Sequence, residues 1–495
     1  MATGQIALSN TINVTLSGTP VGLGEYSTNS IVLLSNEQPL SAEPYIWAVS
    51  AQDVINEYGS NSLTAKMAKA LFTPAFNLRT GIGQVLVYPY TGVNATSANT
   101  KTIAITDSII TAFKLVTNGD LTVTLDGIDY LLAGMDFQSI STVNDIVKIL
   151  SAQGLDCDIS VVDTNKIQFK SRRYGATESG VAIKSTADGT GIDLYGSSYF
   201  NGTNQITTAG TDSSGATVAE AIAEVDQIAY VGGVLTTQFC ENATILANAT
   251  ALQELDHIYF ETIQSLKNIA ILGASIKSVS DTKTRLLAYS YAGAEGSKQA
   301  IATYATIACS TNYSGSTTVL TMNLKELTGI SSDLNLNQTY YTQAKQNGVD
   351  IYGNTEGLSC VYSFDNGAYT DEVTGELWLK KALETSGFNY LRKTNTKIPQ
   401  TEAGMSGLKN AYETVCVQAV RNGLIAPSSW NDSIPFGNPE DFLRNIEEKG
   451  YYIYSLPIVQ QQQAEREQRI APVVQIAIKL AGAFHSSNVI VNVQR

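Results

Sequence analysis

The chain has 495 residues, a net charge of -14 and only 15% charged residues against 43% hydrophobic ones. That length accommodates two to four domains at the usual ~100 to 200 residues each. The acidic balance, with Lys and Arg scattered along the chain, excludes the clustered cations that nucleic-acid binding needs, and two histidines leave little for hydrolase or metal chemistry.

In chain order, Ile6, Leu8, Ile12, Val14 and Leu16 all fall on even positions with polar or small residues between them, the two-residue period of a strand. A buried strand is expected at 31–34. Ser50 with Asp53 three residues on, and Gly59 as a stop, predicts a helix between them. A second helix is expected over 63–77 and a strand over 84–90. The texture then changes, because 94–100 and 210–215 are rich in Ser, Thr, Asn and Gly, a linker composition. Between them strands are expected at 121–125 and 129–132, joined by an Asp126-Gly127 hairpin turn, then a helix at 141–152 and strands at 158–162 and 166–171. This region reads as a small α+β domain inserted into an α/β core.

The core pattern resumes with helices expected near 217–226, 240–255, 297–309, 336–346 and 377–391. Strands near 228–231, 257–261, 286–291, 349–352 and 358–364 alternate with them. Such alternation predicts a sheet covered by helices. A long helix at 406–424 precedes a Pro-rich link around Pro427, Pro435 and Pro439. After Tyr451 to Tyr454, a polar run over 460–469 suggests a helix that Pro472 ends. Over 473–480 a two-residue period competes with a helical stripe, and β-branched enrichment favours strand. Val489, Val491 and Val493 then share one face of a final strand.

The fold class is therefore α/β and α+β, multidomain: a helix-covered sheet core, an inserted small α+β domain, and extended strand arms at both termini. The expected boundaries are 1–20 for the N-terminal arm, 21–93 and 216–425 for the core, 94–215 for the insert, 426–486 for a C-terminal core segment, and 487–495 for the last arm. A free terminal strand pairs with its own sheet or is donated to a neighbour's open edge. A low charge content suits a surface facing other subunits, since charge is depleted at interface centres. It suits equally a chain merely rich in Ser, Thr and Asn.

No motif for chemistry emerges. His257 lies in a strand and reads as a core imidazole, and His485 as a structural hydrogen-bonder. No nucleophile elbow, phosphate loop or zinc-helix motif is present. Gly81-Ile82-Gly83 opens a strand, whereas a dinucleotide fingerprint sits between strand and helix. Asp371, Glu372 and Glu376 match no calcium loop and read as a solvated acidic turn. The five cysteines are far apart and odd in number, which suits reduced core residues and leaves disulfides between subunits open. The start of the chain carries no secretory signal, and 473–484, its most apolar stretch, is too short to span a bilayer. Synthesis in the cytoplasm as a soluble chain is expected.

The C-terminal block, with Gly450 to Tyr454, the Gln-rich run to Arg466, Arg469 and Pro472, and Ile478 to His485, resembles the end of tail sheath proteins from contractile-tailed bacteriophages. Val49 to Asp53 through Tyr58-Gly59, with Val85 to Tyr88, is similar to their first unit. Asp126-Gly127, Asp136-Phe137 and the stretch from Ser171 to Gly180 resemble the peripheral domain of one branch. The resemblance implies a structural subunit without catalytic, metal or cofactor sites. It would polymerise as helical rings around an inner tail tube through exchanged terminal strands and contract to drive the tube through the host envelope. Implied partners are the chain itself, the tube protein, and baseplate and tail terminator proteins at the ends. Arg466, Arg469 and Lys479 are candidate tube contacts, against the alternative of a solvated helix face and a sheet-edge lysine. A different virion or surface-array protein, and a glycan hydrolase with paired carboxylates, are the competing readings.

Overall fold

In the computed structural model the described residues are 28–37, 39, 40, 44–90, 96–155, 157–173, 175, 176, 179–186, 189–211, 217–279, 283–393, 396–487 and 489. Ile6, Leu8, Ile12, Val14, Leu16, Val491 and Val493, and with them the expected arm strands, lie outside the described residues. The described residues fall into two compact units, 378–481 and the remainder.

The larger unit begins with β1 (Ile31–Ser35), β2 (Ile46–Ala48), α1 (Ala51–Tyr58), α2 (Leu63–Phe72) and β3 (Val85–Pro89). Next come β4 (Asn99–Ala104), α3 (Asp107–Phe113), β5 (Gly119–Leu125), β6 (Ile128–Met135), α4 (Val143–Ser151), β7 (Cys157–Val162), β8 (Lys166–Ser171), β9 (Val181–Lys184), β10 (Ile192–Asp193) and β11 (Ile206–Thr208). Then follow α5 (Val218–Ile228), β12 (Gly233–Thr236), α6 (Asn242–Leu252), β13 (Ile258–Ile263), α7 (Ile269–Ser278), β14 (Thr284–Ala288), α8 (Gly293–Ala308), α9 (Gln338–Asn347), β15 (Asp350–Thr355) and β16 (Leu358–Tyr362). A long helix, α10 (Thr370–Lys393), starts in this unit and ends in the smaller one, which continues with α11 (Glu402–Asn422), α12 (Pro439–Lys449), β17 (Tyr451–Ser455), α13 (Gln463–Glu467) and β18 (Val474–Ile478).

One eight-stranded sheet runs β16-β15-β14-β13-β12-β1-β3-β2, parallel except at its two outermost strands. The reason is in the sequence of β1. All five of its residues are buried, as a strand covered on both faces requires. Ile31 and Leu33 pack with residues of α1, α2 and α8, whereas Val32 and Leu34 pack with residues of α5, α6, α7 and α9. Period-two alternation thus feeds two cores from one strand. Ser50 caps α1 with a reciprocal Asp53 bond, and Gly59 ends it, as the sequence indicates.

Three expectations are corrected. The second helix stops at Phe72 rather than 77, because Pro74 lacks an N–H and crowds the residue before it. The strand expected at 228–231 lies at Gly233–Thr236, and α5 instead extends to Ile228. Gly232, which looks like a breaker, is there because a Cβ would sit 1.9 Å from the Thr28 carbonyl oxygen. Residues 438–449 are not a Pro-rich link but α12, with Asn438 as cap, Pro439 in the first turn and acidic residues after it.

Residues 96–211 form two further four-stranded sheets, β10-β5-β6 with β9 on β5, and β11-β4-β8-β7. They share a core that includes Phe113, Phe137, Phe169 and Phe200. Part of the expected linker at 94–100 is thus the start of β4. The two ends of this region are closed by Thr96 and Thr211, each donating its N–H to the other's carbonyl at 3.1 Å. Asp126 and Gly127 both adopt positive φ, which makes the β5–β6 hairpin turn.

This region is fastened to the sheet by Arg173, 3.4 Å from Glu37, 3.3 Å from Glu295 and 3.7 Å from Asp126. Glu37 also caps α2, accepting from the N–H groups of Leu63 and Thr64 at 2.9 and 2.8 Å. Burial pushes the Asp126 carboxyl above its ordinary range, partly offset by hydrogen bonds from Gly180 and Ser171 and by Arg173. Deeper in the core, Lys298 pairs with Glu261 at 2.8 Å, both side chains almost wholly buried. Burial also pushes the Asp350 carboxyl up to about 6, although Tyr304 donates to it at 2.6 Å and the Phe364 N–H at 2.8 Å.

Candidate assembly surface

In the smaller unit, α12 hands directly to β17. Gly450 caps the helix at φ 82°, and a Cβ there would approach Ile425 Cγ2 to 2.7 Å, so backbone and space both demand glycine. β17 pairs antiparallel with β18, from Tyr451 opposite Ile478 to Ser455 opposite Val474.

Both faces of this pair are occupied. Tyr452 and Ala477 meet Phe442 and Ile446 of α12, with Trp430, Ile434 and Phe436 alongside. On the other face Val474 packs with Met405 and Leu408 of α11, and Tyr451 donates to Glu413 at 3.2 Å. Burial is the main reason the Tyr451 hydroxyl is pushed up to about 12.

The edges differ. Apart from an isolated bridge between Ile425 and Leu480, no third strand joins β17 or β18 among the described residues. The Lys479 N–H reaches the Gly450 carbonyl at 2.8 Å, which makes that pair hydrogen-bonded in the antiparallel ladder. Alternation then turns the N–H and C=O groups of Ile453 and Ile476 outward. An open edge with outward-facing amides is a template for another strand.

The connector between the two strands carries exposed apolar side chains, Leu456, Val459, Ile470 and Val473. It is nonetheless ordered by polar anchors. The Ile458 N–H donates to Glu402 at 2.7 Å, Gln400 to the Arg466 carbonyl at 2.9 Å, and Gln461 to the Ile470 carbonyl at 2.7 Å.

The candidate tube contacts are placed as follows. Arg466 is in α13 and half-buried, and Arg469 follows it, exposed and at φ 61°. Lys479 lies just beyond β18 with its main chain bonded to Gly450 and Ala426. Arg466 and Arg469 therefore share the connector, interleaved with exposed Glu465 and Glu467. The expected helix over 460–469 shrinks to α13, five residues long. Of the expected C-terminal strand residues, Val489 is described and exposed.

His257 is a satisfied core residue, its ring nitrogens 2.7 Å from the Val231 carbonyl and 3.1 Å from Asp226. Asp371, Glu372 and Glu376 are in the first turns of α10. Among the described residues no cluster of His, Cys, Asp and Glu could hold a metal ion. Sequence reasoning missed Ile453 and Ile476 as edge residues, although Tyr451 to Tyr454 followed by 474–478 was a legible hairpin. What it lacked was the identity of the hydrogen-bonded pairs, which only the register supplies.

Residues 370–493 match the family model described as E217 tail sheath protein gp31-like, C-terminal domain. No curated protein sequence matches the chain. Among solved structures, the crystal structure of a sheath tail protein from Desulfitobacterium hafniense aligns over 94% of this chain and 100% of that chain, with 11% identity and a TM-score of 0.42. Residues 370–493 are thus similar to the C-terminal domain of a phage tail sheath protein.

Proposed function

We propose that the chain is the repeating subunit of a contractile tail sheath, joined to its neighbours by terminal strands. The observation that carries this reading is the β17–β18 pair, covered on both faces and without a third strand at either edge among the described residues. The alternating patterns at 6–16 and 489–493 are what such edges accept: main-chain hydrogen bonds give the connection and alternate side chains the register. Subunits so linked form helical rings around an inner tube, with baseplate and terminator proteins at the ends, and assemble in the host cytoplasm. Contraction is a rigid-body rearrangement of the cores from a metastable extended array to a more extensively bonded one. The free energy is stored at assembly, so no nucleotide or other cofactor enters. Residues 94–215 form the outward domain in this arrangement, 426–486 face the tube, and Arg466, Arg469 and Lys479 contact it.

Deleting 487–495 tests the reading. The truncated chain should fold, with unchanged circular dichroism, and fail to form striated tubes in negative stain. Normal polymerisation of the truncated chain would overturn strand donation from the C-terminus.

A further inference from the structure

Over 481–487 every residue is exposed except one, His485. Phe484 beside it is fully exposed. His485 is held in three ways at once by the larger unit. Its Nε2 lies 2.9 Å from Thr321 Oγ1, and Asn323 Nδ2 donates to its carbonyl at 3.4 Å. Its ring meets Tyr369 edge-on, with centroids 4.6 Å apart and planes at 80°, a favoured aromatic geometry.

The receiving surface is preformed. Asn323 is itself oriented by accepting the Ser363 N–H at 3.2 Å, just after β16, and Thr321 Oγ1 accepts the Asn323 N–H at 3.4 Å. Tyr369 immediately precedes α10, where its N–H donates to Glu372 at 2.8 Å. A side chain clasped by groups that are already fixed loses its freedom once, at folding, and not again when the segment beyond it is used.

We propose that His485 is the positioning residue for strand donation: its clasp on Thr321, Asn323 and Tyr369 roots the C-terminal segment on the subunit's own core and presents 486–495 to a second copy of the chain. This rests on the strand-donation reading above. An extended segment from 486 to 495 reaches at most ~33 to 36 Å, so the root decides which neighbour's edge is within range and in which register. Without the root, the ordering that the clasp supplies at folding has to be supplied again at assembly, and the longer tether also lowers the effective concentration of the donated residues at the acceptor edge.

The test uses the full-length chain with His485→Ala and, from the receiving side, Thr321→Val. Melting temperature reports folding, sedimentation gives the critical concentration for polymerisation, and hydrogen exchange reports the amides of 485–487. Both variants should melt like the parent, exchange faster at those amides, and polymerise only at roughly three- to tenfold higher concentration, the span expected from losing one hydrogen bond with or without an aromatic contact. His485→Phe, which keeps the ring, should fall between parent and His485→Ala. An unchanged critical concentration in His485→Ala, or in Thr321→Val should His485→Ala not fold, overturns the clasp while leaving strand donation intact. Normal polymerisation after deletion of 487–495 would instead remove strand donation itself, and the clasp with it.

Discussion

The eight-stranded sheet ends at one side in β2, three residues long and antiparallel, and at the other in antiparallel β16, with two helical layers enclosing the strands between. The β17–β18 pair is enclosed on both faces by α11 and α12 but stops at two strands. A short antiparallel edge discourages further pairing, and a two-stranded sheet on its own is marginal. Among the described residues the first sheet is therefore closed off at both edges, while the second depends on its helices and has ladder positions without a partner strand. On the proposed reading, stability falls to the first sheet and assembly to the second.

The sharpest way to break that contrast is proline at an outward-facing amide. Ile476→Pro and Ile453→Pro each remove a donor from a free edge without touching the ladder bonds inside the pair. The variant at the edge that receives a neighbour should remain a folded monomer and lose polymerisation altogether, read by sedimentation and negative stain. The other variant shows which edge is spared. Should both polymerise like the parent, neither edge is an acceptor.

Next in size is an effect confined to the first sheet. Lys298→Met strands Glu261 in the interior, where Tyr259 and the Thr262 N–H remain its partners at 3.0 and 2.9 Å. Removing one member of a buried pair costs about 3 to 5 kcal/mol, measurable by denaturant unfolding. Polymerisation under conditions where the chain stays folded should be unaffected. Adding Glu261→Leu should recover much of the loss, since two apolar groups leave no buried charge.

How much of this was legible beforehand differs between the two sheets. The core strands announce themselves because burial on both faces demands apolar runs such as Ile31 to Leu34. The caps Ser50 and Gly59 mark α1 just as plainly. α7 was missed although Ile269, Leu272, Gly273 and Ile276 form its buried stripe, because the stripe is only ten residues long and almost uniformly apolar. α12 was missed because prolines at 435 and 439 suggested a link, when Asn438-Pro439-Glu440-Asp441 is a start signal. The β17–β18 hairpin was readable, but its open edges were not, since strand partners are long-range facts that local periodicity does not encode. The contacts of His485 and Arg173 join segments far apart in sequence, and nothing in the local pattern points to them.

A smaller effect separates the sheets by pH. Burial raises the Asp350 carboxyl to about 6 from 3.8, so between those values the folded chain holds a proton that the unfolded chain has released. This contribution to stability is full below about pH 4, declines as pH rises, and is lost by about pH 6. Asp350→Asn should flatten that slope in denaturant unfolding, by at most about 3 kcal/mol across the window. A slope unchanged in the variant would show that other groups set it.

The smallest expected effect concerns the connector of the second sheet. Arg466→Glu with Arg469→Glu reverses two positive charges in a segment where Glu465 and Glu467 already offset them. Exposed pairs are worth about 0 to 1 kcal/mol each, so losing two should weaken sheath assembly on purified tubes by roughly thirtyfold at most. The deficit should shrink as salt rises past about 0.15 M, where screening acts within ~8 Å. Self-association without tubes should not change, because the connector lies outside the strand edges. That combination, a salt-sensitive loss only when tubes are present, distinguishes a tube contact from a solvated face. Unchanged assembly at low salt would return both arginines to the solvent and leave the exposed Val459, Ile470 and Val473 as the connector's remaining contact surface.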